Sequence, residues 1–239
     1  MERFITYTDV PRLKRLLAEQ TAQPIDAEGM TAALNERVPG QAHMTGDLAR
    51  FIQLQWGKEK RKCPMLSILL VGSRTGRTDL LKGMAAFLYR NERAVLRCDC
   101  SELRTPESTA RLIGVPRGYV GAERGGELTR AVRRNPCSLI VFDDIEMAHP
   151  GVLDLFQKMM CDGRLTEQGT GDVADFSYSI GILTSNLEAD ALIKLQEETA
   201  DPLELASAVK ARLVSTGKFR PEIAGHIGKV CVFKSLATI

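Results

Sequence analysis

From residue 66 onward, apolar residues come in short continuous runs instead of alternating with polar ones. Such runs are typical of strands buried on both faces of a sheet. The predicted strands lie at 66–71, 94–99, 138–144, 179–186 and 229–233. Apolar positions three and four residues apart predict helices at 78–88, 124–134, 151–161 and 203–215. Strands that alternate with helices indicate an α/β fold around a mostly parallel sheet.

The chain before residue 66 is more polar. Residues 1–33 are helix-prone and are interrupted at Pro11 and Pro24, which predicts a separate N-terminal helical arm. Thr45, followed by Gly46 and Asp47, has the composition of a helix start, so we expect a helix from there through Trp56.

Composition narrows the class of protein. The 239 residues, 44% of them hydrophobic and 26% charged, suit one sizeable soluble α/β domain. A net charge of +2 does not indicate nucleic acid or an anionic membrane as a partner, and we interpret the basic run at 57–62 as a solvated loop. The sequence has neither the ~18 consecutive apolar residues of a membrane helix nor an apolar signal core, so we expect a cytoplasmic protein.

The cysteines do not indicate a metal site. Six are scattered along the chain, and most lie inside apolar runs. Cys98 and Cys100 are one residue apart, but no second pair of ligands accompanies them. We expect buried thiols instead of a zinc site.

The turn after the first predicted strand, G-S-R-T-G-R-T, resembles a phosphate-binding loop that is one residue short. Its backbone N–H groups and the following helix N-terminus would hold phosphate, and the Thr78 hydroxyl would bind Mg²⁺. Arg77 stands where such loops carry lysine. The candidate nucleotide-binding residues are Gly72, Ser73, Arg74, Thr75, Gly76, Arg77 and Thr78. A plain strand-to-helix turn is the alternative for this stretch alone.

Polar residues also end two later predicted strands. Asp143 and Asp144 follow an apolar run, as in a Walker B motif, where Asp143 would hold Mg²⁺ through water and Asp144 would polarise the attacking water. Asn186 ends the next strand and is a candidate for orienting a water near a terminal phosphate. The alternatives are acids that cap a helix and an asparagine in a turn.

The order and spacing of these motifs, with the block at 111–166, closely resemble the second ATPase domain of Clp-type AAA+ protein unfoldases and disaggregases. The resemblance runs from Leu34 to Leu236. It implies an AAA+ P-loop NTPase-type three-layer αβα sandwich around a five-stranded sheet. It also implies that 34–239 form the large nucleotide-binding subdomain, that 1–33 lie outside it, and that the small helical lid of such proteins is absent.

The resemblance assigns roles to further residues. It implies binding of ATP or ADP with Mg²⁺, with Val38, Gly40 and Gln41 near adenine, and it places His226 where such proteins have an arginine finger. The loop formed by Gly118, Tyr119, Val120 and Gly121 matches a pore loop that grips an unfolded protein substrate in a ring of subunits. A solvent-exposed tyrosine without a task is the alternative for Tyr119. We expect a protein substrate or partner, with this chain as a homo-oligomer, a monomer or an addition to another AAA+ ring.

The departures from the family pattern concentrate on ATP hydrolysis. They are the short loop, Arg77 for lysine, Asp144 for glutamate, His226 for arginine, and the missing lid. Asp144 has a side chain one methylene shorter than glutamate, and a misplacement of about an ångström can cost ~10²-fold in rate. Two hypotheses compete: a pseudo-ATPase that serves as a protein-interaction module, and an active, divergent AAA+ ATPase that unfolds protein through Tyr119. A piece or relic of a longer unfoldase is a third.

Overall fold

Five parallel strands form the central sheet of the computed structural model, which describes residues 24–56 and 64–234. The strands are β1 Leu66–Gly72, β2 Val95–Asp99, β3 Leu139–Asp143, β6 Ile180–Thr184 and β7 Lys229–Phe233. Their order in the sheet is β2-β3-β6-β1-β7, and every neighbouring pair is parallel. All five strands predicted from the apolar runs are confirmed. A separate antiparallel hairpin, which the sequence pattern did not predict, pairs β4 Arg164–Thr166 with β5 Val173–Asp175.

Helices cover both faces of this sheet. They are α1 Ala27–Arg37, α2 Ala42–Gln55, α3 Arg77–Tyr89, α4 Ser108–Ile113, α5 Glu127–Arg134, α6 Pro150–Asp162, α7 Ala189–Glu198, α8 Pro202–Ser215 and α9 Pro221–His226. The helices predicted at 78–88, 151–161 and 203–215 are confirmed to within two residues at each end. The helix predicted at 124–134 begins at Glu127, because Gly125 and Gly126 precede it in non-helical conformations.

The side chains of β1 show why the fold has three layers. Ile68 and Leu70 point into an apolar cluster with α1, α2 and α3. Leu69 and Val71 point into a second cluster on the other face, with α5, α6 and α8. Successive strand residues face opposite sides of a sheet, so a strand that is buried at every position needs a helical layer on each side. The predicted αβα sandwich is therefore confirmed.

The boundary predicted at residue 34 falls inside a helix. Helix α1 begins at Ala27, seven residues earlier, and Met30 and Leu34 on it are fully buried in the core. Asp26 caps this helix by accepting hydrogen bonds from the backbone N–H groups of Glu28 and Gly29. The buried residues of α1 form a narrow stripe among polar surface residues, so the sequence pattern did not reveal that this helix belongs to the core. The rest of the predicted arm, residues 1–23, lies outside the described residues.

The predicted start of the second helix is wrong. Helix α2 begins at Ala42 instead of at the Thr45-Gly46-Asp47 stretch. Thr45 does not cap it, because its side chain is buried and its hydroxyl donates a 2.6 Å hydrogen bond to Asn35 Oδ1. A tertiary contact between α1 and α2 uses the hydroxyl that the sequence pattern assigned to capping.

The thiols are mostly buried, as predicted. In the described residues, Cys100, Cys137 and Cys231 are buried, whereas Cys98 and Cys161 are partly exposed. Burial raises the pKa of Cys231 to about 12. Within 24–56 and 64–234 no cluster of histidine, cysteine and acidic side chains has the arrangement of a metal site, and no helix is long and apolar enough to cross a membrane. Cys63 and the basic run at 57–62 lie outside these ranges.

Candidate functional site

The carboxyl ends of β1, β3 and β6 bring the predicted site residues together. The phosphate-loop stretch follows β1, the acidic pair ends β3, and Asn186 follows β6. Because β6 lies between β3 and β1 in the sheet, these three groups lie side by side at one edge. In open α/β sheets this edge is where ligands bind. We call this region the cleft.

Strand β7 sets the shape of the loop at the start of the cleft. Gly72 has φ +83°, and a Cβ there would lie only 2.4 Å from the carbonyl oxygen of Phe233. Ser73 donates its backbone N–H to that same oxygen at 3.0 Å. Gly76 has φ +87° and immediately precedes α3. Both glycines therefore adopt backbone conformations that other residues rarely do, and the Gly72 position also excludes a side chain.

Arg77 lies inside the loop instead of reaching out of it. Its side chain donates to three carbonyl oxygens: those of Ser73 at 3.0 Å, Gly72 at 2.8 Å and Ser185 at 3.0 Å. Only 7% of the residue is exposed. Burial lowers the pKa of Arg77, and the nearby carboxylate of Asp144 opposes that shift. The guanidinium thus connects the loop with the segment after β6.

Arg74 and Asn186 hold both oxygens of the Asp144 carboxylate. Arg74 Nη2 lies 3.0 Å from Asp144 Oδ2, and Asn186 Nδ2 donates to Oδ1. Asp144 itself has φ +51°, an uncommon conformation for a residue other than glycine. Its backbone N–H donates to Thr184 Oγ1 at 3.0 Å. The acid predicted to polarise water is therefore part of a bridge across the cleft.

Arg97 contacts both predicted magnesium ligands. Its guanidinium donates to Thr78 Oγ1 at 3.0 Å and lies 3.4 Å from Asp143 Oδ2. The other oxygen of Asp143 accepts a 3.1 Å hydrogen bond from Thr184 Oγ1. Arg97 was not among the residues predicted from the sequence. It lies on β2, two residues before Asp99 and on the same face of the strand. Because Asp99 pairs in register with Asp143, this position was the signal available in the sequence.

The cleft fits a polyphosphate by its chemistry. Three guanidinium groups, on Arg74, Arg77 and Arg97, lie around the loop, and such groups suit phosphate oxygens. Thr78 and Asp143 offer the hard oxygen atoms that Mg²⁺ prefers. Both of these oxygens now contact Arg97, so a metal ion at this point would compete with that side chain.

The residues predicted near adenine lie where the loop meets the first helices. Val38 is buried, and a Cβ added to Gly76 would lie 3.5 Å from its Cγ1. Gln41 is buried as well, and its side-chain amide pairs with the backbone of Lys234 through bonds of 3.0 and 3.1 Å. Val38 thus lies beside the phosphate loop. The side-chain amide of Gln41 joins the segment between α1 and α2 to Lys234, the residue after β7. The adenine contact of Gly40 and Gln41 stays a prediction.

His226 is not brought to the cleft residues. Its Nε2 lies 2.9 Å from Cys161 Sγ on α6, and its Nδ1 lies 2.6 Å from the carbonyl oxygen of Glu222 on its own helix α9. Both ring nitrogens therefore contact residues of α6 or α9, and these partners are not residues of the cleft. Its correspondence to an arginine finger stays a prediction.

The segment with Gly118, Tyr119, Val120 and Gly121 forms an exposed loop, which we call the Tyr119 loop. Tyr119 is 70% exposed and Val120 fully so. Gly118 and Gly121 have φ +93° and +90°, and a Cβ on either would meet nothing within 4 Å. These glycines are therefore required by backbone conformation and not by crowding. The pore-loop role of these four residues stays a prediction.

The base of the Tyr119 loop is anchored to the β4–β5 hairpin. Arg117 donates to the carbonyl oxygens of Gly169, at 3.0 Å, and Thr170. Glu167 is only 3% exposed and accepts hydrogen bonds from the Gly169 N–H at 3.1 Å and the Thr170 hydroxyl at 2.7 Å. A Cβ on Gly114 would lie 2.4 Å from Glu167 Oε1. These anchors were not among the predicted residues, since the hairpin itself was not predicted.

Comparisons with known proteins agree with this architecture. A family model for the AAA domain (Cdc48 subfamily) matches residues 63–230. The chaperone protein ClpB of Streptomyces albus G is 36% identical over 232 residues, which cover 97% of this chain and 26% of that protein. ClpB2, chloroplastic, of Oryza sativa subsp. japonica is 39% identical over 207 residues, covering 85% of this chain and 21% of that protein. This chain spans about a quarter of the length of these relatives.

Among solved structures, a closed-state reconstruction of Hsp104 with ATPγS and FITC casein superposes with a TM-score of 0.72. It is 32% identical in sequence, and the match covers 88% of this chain and 36% of that one. The family match extends over most of the chain, and the relatives and the solved structure are Clp-type chaperones. The chain therefore belongs to the AAA domain family, Cdc48 subfamily, and is a Clp-type AAA+ domain related to ClpB and Hsp104.

Proposed function

We propose that this chain is a Clp-like nucleotide-binding module that acts by contacting protein and hydrolyses ATP weakly or not at all. Its cofactors would be ATP or ADP with Mg²⁺, held by the loop from Gly72 to Thr78 and by Asp143. Its partner would be an unfolded protein or a subunit of an AAA+ ring. The cytoplasmic location expected from the sequence stays a prediction.

The observation that carries this proposal is the state of the Asp144 carboxylate. A general base must be free to accept a proton from water at hydrogen-bond distance. Asp144 has one oxygen paired with Arg74 and the other with Asn186. The same amide of Asn186 that would orient a water is therefore occupied by the acid beside it. Hydrolysis would require both pairs to separate.

The position of Arg77 supports the same proposal. A phosphate-loop lysine directs a compact ammonium group at the phosphates. Arg77 instead satisfies carbonyl oxygens of the loop and of Ser185. Its charge still favours an anion nearby, but its Nε and Nη2 donors face the protein. Nucleotide affinity is therefore expected to be weaker than with lysine, without being abolished.

Protein contact is supported by the Tyr119 loop. An exposed aromatic ring with a neighbouring valine offers apolar, sequence-tolerant contact on a loop whose base is fixed. The relatives are named chaperones, and the Hsp104 structure includes casein. The same observation favours the second candidate function, an active unfoldase that pulls protein through a ring by means of Tyr119.

Steady-state ATP turnover separates the two candidates. We expect the turnover of the full chain to equal that of Asp143→Ala, even at high protein concentration. Calorimetry in parallel measures nucleotide binding. It distinguishes a site that binds nucleotide without hydrolysing it from a site that binds none. Robust turnover that Asp143→Ala abolishes would refute the pseudo-ATPase and favour the unfoldase.

A further inference from the structure

We propose that Arg74 is a specificity-determining residue that lets this chain distinguish a nucleoside triphosphate from a diphosphate without a second subunit. The inference rests on the proposed binding of nucleotide in the cleft. It assigns a role to the ion pair of Arg74 and Asp144, which in the proposed function only hinders hydrolysis. The ligand class is a nucleotide with a terminal phosphate beyond the diphosphate.

The position of the ion pair in the sheet is the first argument. Arg74 follows β1 and Asp144 follows β3, while β6 lies between those strands. Their 3.0 Å contact therefore passes over the carboxyl end of β6, where Asn186 meets the same carboxylate. The pair thus spans the carboxyl ends of β1, β6 and β3.

The exposure of the two partners is the second argument. The Arg74 side chain is 72% exposed, and that of Asp144 only 27%. An exposed ion pair contributes little to stability, so the guanidinium can exchange its partner at small cost. Asp144 is held independently by Asn186 and by the hydrogen bond from its own N–H to Thr184. Arg74 is thus the movable member of the pair.

The chemistry of the competing ligand is the third argument. A terminal phosphate offers three oxygens and more negative charge than one carboxylate, and guanidinium binds phosphate through paired hydrogen bonds. We place the terminal phosphate of a triphosphate beside Arg74, where it would compete with Asp144 for the guanidinium, and a diphosphate lacks that phosphate. Arg77 is less suited to this part, since its Nε and Nη2 atoms already donate to the carbonyl oxygens of Gly72, Ser73 and Ser185. In phosphoryl-transfer enzymes an arginine supplied in cis can stabilise the negative charge on the terminal phosphate during its transfer.

Calorimetric titration of the full chain with ATPγS and with ADP, both with Mg²⁺, tests the inference. We expect the full chain to bind ATPγS about tenfold more tightly than ADP, which corresponds to one charge-assisted interaction. Arg74→Gln should weaken ATPγS to the level of ADP and leave ADP within about twofold of the original affinity. Arg74→Lys, which keeps the charge but not the planar fork, should retain part of the preference.

Arg93→Gln is the matched control. Arg93 is exposed and precedes β2, so it lies at the opposite edge of the sheet from the cleft. This variant should keep the tenfold preference, and circular dichroism should show every variant folded. Equal affinities in the unmodified chain, an unchanged preference in Arg74→Gln, or no binding of either nucleotide would each overturn the inference. Robust ATP turnover with a preference that depends on Arg74 would instead refute the proposed function alone.

Discussion

The cleft and the Tyr119 loop use their side chains in opposite ways. In the cleft, Arg74, Arg77 and Arg97 are all paired with acids or carbonyl oxygens of the same chain. In the Tyr119 loop, only the base is anchored, and its aromatic ring lies in solvent. The polar groups of the cleft therefore largely bind one another, whereas the side chains at the tip of the Tyr119 loop are available to another molecule.

The strongest test of this contrast is removal of the charge inside the phosphate loop. Arg77→Met should lower the free energy of unfolding by about 3 kcal/mol, because three carbonyl oxygens and nearby acids lose their partner. Urea unfolding measures the change, with the exposed Arg93→Met as the control. A loss below about 1 kcal/mol would mean that the cleft does not depend on its internal pairing.

Restoring the missing loop residue together with a lysine at position 77 should have the next largest effect. Insertion of one glycine between Thr75 and Gly76, combined with Arg77→Lys, should raise ATP affinity about tenfold, or about 1.4 kcal/mol. The longer loop gives room for phosphate, and lysine directs its charge at the ligand. Titration calorimetry checks this result, with Arg77→Lys alone as the control. Unchanged affinity would show that loop length and Arg77 do not limit binding.

Loosening the base of the Tyr119 loop should have a smaller effect. Arg117→Ala removes the bonds to the carbonyl oxygens of Gly169 and Thr170, at a cost of about 0.5–1 kcal/mol for such exposed contacts. Amide hydrogen exchange should become faster at 115–121 and at the hairpin turn, while the cleft keeps its protection. Arg104→Ala, at an exposed position outside this contact, is the control. Equal exchange in both variants would argue against the anchor.

The smallest expected effect on stability is at the tip of the loop. Tyr119→Ala should change the free energy of unfolding by less than about 0.5 kcal/mol, since the ring is mostly exposed. Binding of a fluorescently labelled, permanently unfolded polypeptide should nevertheless fall, and Tyr119→Phe should retain it. If Tyr119→Ala binds the polypeptide as well as the unmodified chain does, the loop is not the contact surface.

The sheet was predictable because most of its strands are short, nearly continuous apolar runs, a pattern that depends only on local sequence. Helix α1 was not predictable in the same way, because its buried residues form a narrow stripe among polar ones. Only the packing of Met30 and Leu34 shows that this helix belongs to the core. The β4–β5 hairpin has strands of three residues, too short for alternation to be recognised. Local periodicity therefore identifies long buried elements and overlooks short or half-buried ones.

The candidate site was predictable as a set of residues but not as a set of contacts. Strand ends in a parallel sheet must meet at one edge, so the loop, the acidic pair and Asn186 were expected together. The pairing of Arg74 with Asp144 and of Arg97 with Asp143 depends on side-chain rotamers and strand register. These contacts join residues 70 and 46 positions apart, a distance at which sequence spacing carries no information on geometry.

The central place of β1 in the sheet also fixes when the cleft can form. Its two neighbours, β6 and β7, come more than a hundred residues later in the chain. The bond from Ser73 to Phe233, which shapes the phosphate loop, cannot exist until the last strand has been synthesised. On a ribosome adding about 5–20 residues per second, β1 would wait several seconds or more with both edges unpaired and with the face that packs on α5, α6 and α8 uncovered. Protection of this strand during synthesis is therefore a requirement of the topology itself.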